Sequence, residues 1–162
     1  MKKLLMLALQ LAALLPLTVF AASSEVGVWR LTSMISVDEA TGATTNHFGA
    51  KPDGYIIFSP DGYMSVVINA DGRQPISGNP EKLTEEQARL FSTMTAHAGK
   101  YRISEGRLIH RVDVAHDPKM VGTDLQRSLR FLSDNQLEGT LPPITTPAGK
   151  KLRMVLLWQR VN

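Results

Sequence analysis

"YIIFSPDGYMSVVI", residues 55–68, decides the fold class. Its two halves are rich in the β-branched and aromatic residues that suit a pleated, half-buried surface. Between them stands Ser59-Pro60-Asp61-Gly62. Pro60 fixes the backbone angle, and Asp61-Gly62 supplies the positive φ of a tight turn. The stretch reads as two antiparallel strands closed by a hairpin.

The same reading extends in both directions. Upstream, "VWRLTSMISV" (28–37) is a strand with Trp29, Leu31, Ser33, Ile35 and Val37 on one face and Arg30, Thr32 and Ser36 on the other. "ATGATTNHFGAKPDG" (40–54) is a loop or a short edge strand, with a second Asp-Gly turn at Asp53-Gly54. Downstream, the Gly- and Pro-rich 69–82 is a loop. "LTEEQARLFSTMTAHAG" (83–99) is predicted as the one helix of the domain. Thr84 and Gln87 form a capping box, Glu85 and Glu86 sit in the first turn, and Gly99 ends it. Strands resume at "KYRIS" (100–104), turn at Glu105-Gly106, and continue through "RLIHRVDVAHDP" (107–118). "TDLQRSLRFL" (123–132) turns at Ser133-Asp134-Asn135 into "QLEGTL" (136–141), and "KKLRMVLLWQRV" (150–161) is the last strand.

Eight or nine short strands with one inserted helix allow two open sheets. Consecutive hairpins without long crossovers favour an all-β, antiparallel up-and-down barrel of about 8–10 strands. A barrel also leaves no free edge. Closure would pair the first strand with the last, bringing Gly27 and Trp29 beside Arg160 and placing the guanidinium over the indole.

The N-terminus has the pattern of an export signal. Lys2 and Lys3 precede an apolar run, and small residues follow, with Val19 and Ala21 suiting a cut after Ala21. Gln10 and Pro16 interrupt the run, which counts against the alternative of a membrane anchor. The expected organisation is a signal peptide at 1–21 and one domain at 22–162, a protein exported to the periplasm or secreted, with no membrane span after signal removal. Cleavage leaves 141 residues, an ordinary domain size, and lowers the net charge from +3 to +1, because Lys2 and Lys3 leave with no acid. The remaining basic residues are scattered, which argues against a nucleic-acid partner. The chain has no Cys, so its core alone must hold it together.

Taken in order, "GVW" (27–29), "DGYIIFSPDGYMSVVI" (53–68), a helix leading into "AGKYRI" (98–103), "LIHRV" (108–112), "DPKMVGTDLQR" (117–127) and "LLWQR" (156–160) resemble the bacterial and fungal lipocalin-like domain family. The Gly-x-Trp answered by a terminal Arg is shared with the wider lipocalins. The chain lacks their Thr-Asp-Tyr motif, and its helix lies mid-chain. The resemblance implies a barrel with a small-molecule site.

Alternation places Leu108, His110, Val112 and Val114 inside such a barrel, and Leu125, Arg127, Leu129 and Phe131 on the next strand. Tyr101, Ile103 and Ser33 go inward by the same rule. An apolar interior would then carry His110, Arg127, Tyr101 and Ser33, with Phe131 among the apolar contacts. Arg127 keeps its charge and needs a partner, and no acid falls on the neighbouring inward faces. A ligand anion would supply one. The sequence therefore reads as a carrier of a small hydrophobic or amphipathic molecule.

Two rivals use the same barrel. One is an enzyme of isomerase or dehydratase type, with His110 in acid–base chemistry. The other is a barrel filled by its own side chains and acting through its surface. The sequence offers no catalytic nucleophile motif and no cofactor signature. His110 and His116 stand about 20 Å apart along one strand, too far to share a metal. His47 and His97 fall on a loop and a helix end, where a solvated imidazole is usual. The acids Asp53 and Asp61 lack the spacing of a calcium loop.

Overall fold

The computed structural model describes residues 25–161; the expected signal segment, 1–21, lies outside the described residues. Eight strands close a ring: β1 (Gly27–Asp38), β3 (Asp53–Phe58), β4 (Tyr63–Asn69), β5 (Met94–Ser104), β6 (Arg107–Ala115), β7 (Asp124–Ser133), β8 (Gln136–Thr140) and β10 (Lys151–Arg160). Every pairing is antiparallel, and the seam between β1 and β10 runs from Trp29↔Arg160 to Asp38↔Leu152. Two short strands, β2 (Thr44–Asn46) and β9 (Ile144–Thr145), extend the ring at one end.

Each short strand continues a longer one across a break. β2 and β3 both pair with β1 on the same side, at Ile35–Val37 and Gly27–Arg30 respectively. β8 and β9 likewise share β10. Pro142 and Pro143 stand between β8 and β9, where the missing N–H groups cannot continue a ladder. These breaks shape the end of the barrel at which the cavity opens.

The turns follow their residues. Gly62 at φ 80° closes the β3–β4 hairpin, and Glu105 at φ 52° with Gly106 at φ 72° closes β5–β6, both positions positive as a tight hairpin requires. Asp53-Gly54, expected as a turn, instead begins β3. Gly54 lies so close to β4 that a Cβ would stand 2.3 Å from the Val67 carbonyl oxygen.

Two bulges overturn strict alternation. In β1 the register slips between Leu31 and Ser33, and the extra residue, Thr32, donates its hydroxyl to the Leu157 carbonyl at 3.0 Å. A bulge of one residue exchanges the faces beyond it. Met34 and Ser36 are therefore buried, and Ser33, Ile35 and Val37 leave the inner face expected for them. In β6 the slip falls opposite Ala98 and Gly99, with Asp113 as the extra residue. Val112 stays buried, whereas Val114, expected inside, is 62% exposed.

The helix is shorter than its sequence pattern. α1 spans Leu83–Ser92, and its N-cap is Lys82 with no side-chain cap. Thr84 thus lies inside the first turn and makes no capping box. Glu86 accepts from the Ser77 backbone N–H instead, at 2.9 Å. Residues 94–99 continue in β5, paired to β4 from Asn69↔Met94 to Met64↔Gly99. Ladder hydrogen bonds and burial along a whole strand outweigh the weak helical preference of Met-Thr-Ala-His-Ala.

Trp29 and Phe58 are almost wholly buried and fill the end opposite the cavity, and Leu108 and Leu137, equally buried, form the layer between that end and the cavity. The Trp29 indole donates to the Glu25 carbonyl at 2.8 Å, and the Arg160 guanidinium lies over its ring.

Candidate functional site

A cavity of about 310 Å³ occupies the barrel between the Trp158 and Leu137 layer and the end where β2 and β9 lie. Its wall is mainly aliphatic, from Met34, Ile68, Leu125, Leu129, Met154 and their neighbours. Phe48, on the segment joining β2 to β3, and Met120, in the short 3₁₀ turn after β6, line its outer part. Thr95, His97, Arg127 and His47 are the polar members, and no carboxylate lines it.

Arg127 stands on β7, two residues along from the partner of His110 in the β6–β7 register. One guanidinium nitrogen, Nη2, lies 3.3 Å from Nε2 of His97 on β5. The ring of His97 lies 4.8 Å from that of His110 between centroids. Both imidazoles are buried, His110 completely. Nδ1 of His97, both ring nitrogens of His110 and Nη1 of Arg127 are shielded from solvent with no protein partner among the described residues.

This burial sets the charges. His97 is pushed down to about 3, chiefly by desolvation, then by the charge of Arg127 and the nearby imidazoles of His110 and His116. His110 falls to about 4, again through burial first and Arg127 second, with Asp113 acting in the opposite sense. Burial lowers Arg127 to about 10, so it remains a cation at neutral pH. Accepting from Arg127 at Nε2 places the proton of neutral His97 on Nδ1. The cluster is one cation and two neutral rings, with spare hydrogen-bonding atoms inside an apolar chamber.

The other expected site residues lie elsewhere. Tyr101 is paired with His110, but its hydroxyl donates to the Ser59 carbonyl at 3.1 Å and its ring meets Phe58 edge-on at 5.1 Å. It belongs to the closed end and does not line the cavity. His110, expected to touch the ligand, is fully buried with its ring 4.8 Å from that of His97 and does not line the cavity. Phe131 is part-exposed, with its ring 6.1 Å from Trp29. Ser33 is turned away by the β1 bulge. Phe91 of α1 is 49% exposed, sits beside His116 at 5.0 Å and does not line the cavity.

His97 is the residue that the sequence reading missed. Its signal was present: Thr95, His97, Gly99, Tyr101 and Ile103 share one two-residue period running back from "KYRIS". The helical pattern masked it. Ser36 and His47, whose Oγ and Nδ1 lie 3.4 Å apart at the open end, depend on the bulge and carry no comparable signal.

Residues 26–161 match the model of the lipocalin-like domain family. No curated protein matches the chain. Among solved structures, a redesigned β-barrel is similar at 20% identity and a TM-score of 0.38, with 88% of this chain and 96% of that one covered.

Proposed function

This chain belongs to the lipocalin-like domain family, and we propose that it is an exported carrier holding one small, largely apolar molecule with an anionic group inside the barrel. The carrying observation is Arg127, which faces the cavity with no carboxylate in reach and with Nη1 lacking any protein partner. An unpaired buried cation is costly, and a carboxylate or similar acceptor offsets that cost with charge-assisted hydrogen bonds. The volume, about 310 Å³, suits a compact ligand. It also argues against an interior filled by side chains alone.

Acid–base turnover is less well supported. A general base works best with a pKa near the operating pH. His97 and His110, at about 3 and 4, are weakly basic there. The neutral ring of His97, the one of the two that lines the cavity, suits hydrogen bonding to a ligand better than accepting its proton.

Native mass spectrometry of the protein purified from its own cells tests this reading. A co-purifying adduct in the small-molecule range, displaced when Arg127 is replaced by Met, is the expected result. A bare protein mass, together with no binding of decanoate by the purified chain, would remove the carrier reading.

A further inference from the structure

The barrel wall is not continuous around the cavity. β7 is bonded to β8 only from Ser128↔Thr140 onward to Ser133↔Gln136. Before Ser128, β7 keeps its other neighbour, with Gln126 paired to Ile109 and Asp124 to Arg111. On the β8 side it faces Leu141-Pro142-Pro143 with no ladder. The break does not detach that segment from β10, because the Leu141 N–H still donates to the Met154 carbonyl at 3.0 Å and Ile144 pairs with Leu152. The gap therefore opens on the β7 side alone.

Leu125, Arg127 and Leu141 line both the interior cavity and an external groove of about 430 Å³ beside Pro142 and Pro143. A second external groove, about 300 Å³, continues from it over Gln126, Ser128, Thr140, Arg107 and Arg153. Strand alternation turns the peptide groups of Gln126 toward the gap, since the Leu129 N–H points the other way to Gly106. The acids nearby are engaged: Asp124 by Arg111 at 3.4 Å, and Glu39 by Arg153 at 4.0 Å. Arg127 inside and Arg107 outside remain without a carboxylate among the described residues.

We propose that the ligand lies through this gap, resting on the reading above that the cavity is occupied. Its apolar body fills the chamber, its anionic group meets Arg127 at the wall, and a polar, acidic extension runs outside over Gln126 and Ser128 toward Arg107 and Arg153. The ligand class is thus an amphiphilic conjugate, an apolar body joined to an acidic head larger than a bare carboxylate.

Two probes with the same apolar body decide this: decanoate and N-decanoylglutamate, titrated calorimetrically into the mature chain and its Gln126→Trp variant. Gln126 is exposed, so the indole covers the outer groove without entering the core. The expected result is N-decanoylglutamate binding at least as tightly as decanoate, then losing tenfold or more in the variant while decanoate is unchanged. If N-decanoylglutamate binds tenfold more weakly than decanoate to the unaltered chain, the head group is sealed inside. The threading inference is then overturned and the carrier reading stands. An affinity for N-decanoylglutamate that is unaffected by Gln126→Trp overturns the inference equally. If neither probe binds, the carrier reading falls and takes this one with it.

Discussion

The guanidinium carbon of Arg160 lies 4.1 Å from the centre of the Trp29 ring, and the two residues are partners across the β1–β10 seam. The same side chain donates from Nη1 to the Val26 carbonyl at 2.8 Å and from Nε to the Asp134 carbonyl at 3.1 Å. Gly27 makes room for it: a Cβ there would stand 2.8 Å from Nη1, on a backbone at φ 135°. One residue thus ties the first strand, the last strand and the β7–β8 turn over the buried indole.

Replacing Arg160 by Ala should cost about 1–3 kcal/mol, from lost cation–π contact, stem packing and backbone hydrogen bonds. Arg160→Lys should recover only part of this, because an ammonium cannot make the planar fork. Denaturant unfolding followed by Trp fluorescence measures both. Equal stability of Arg160→Ala and the parent would refute the role of the contact in closure.

Arg127→Met should leave the fold intact, with stability unchanged within about 1 kcal/mol or higher, since a buried charge is replaced by an apolar stem. Affinity for decanoate should fall by about 2–5 kcal/mol if the anion is desolvated against the guanidinium. Calorimetry checks the affinity and thermal unfolding the stability. Retained decanoate affinity would mean that the head group lies elsewhere.

Stability should decline in mild acid. His97 and His110 bind protons near pH 6.5 when unfolded, but only at about 3 and 4 in the barrel. Below pH 6.5 the unfolded chain therefore takes up protons that the folded one refuses, and stability falls until the folded values are reached. Each ring contributes a loss of about 2 kcal/mol between pH 7.5 and 5. Urea unfolding at the two pH values measures the sum, and His97→Gln should remove about half of it. A flat profile would contradict the burial assigned to these rings.

Gly99→Ala should be among the most damaging small changes. An added Cβ would stand 1.9 Å from the Arg111 carbonyl oxygen and 2.8 Å from the Asp113 nitrogen, both backbone atoms at the β6 bulge. A loss of more than about 3 kcal/mol, or failure to fold, is expected on urea titration. Gly72→Ala, which meets nothing within 4 Å but sits at φ 67°, provides the comparison for left-handed backbone strain without a clash, about 1–2 kcal/mol.

Export predicts a mature protein beginning at Ala22. N-terminal sequencing of protein recovered outside the cytoplasm decides it. Recovery of a chain still starting at Met1 would contradict both cleavage and the exported carrier.

The residues alone were sufficient for the strand-rich order, the hairpins and the closure of the ring. Pro-Asp-Gly and Glu-Gly turns are local chemistry, and period-two alternation is carried by each strand separately. They were also sufficient for Arg127 on the inner face, because β7 alternates without interruption from Asp124 to Phe131. What only the tertiary structure decided lies at the irregularities. The bulges at Thr32 and Asp113 turned Ser33 and Val114 out and brought Met34 and Ser36 in. Pairing with β4 made a strand of residues that favour a helix, and so placed His97 against Arg127. Pro142-Pro143 cannot continue a ladder, and which neighbour is lost there was decided by the partner strands. A bulge, an overridden propensity and a wall gap all depend on the hydrogen bonds of a partner strand distant in sequence, and no local pattern carries that information.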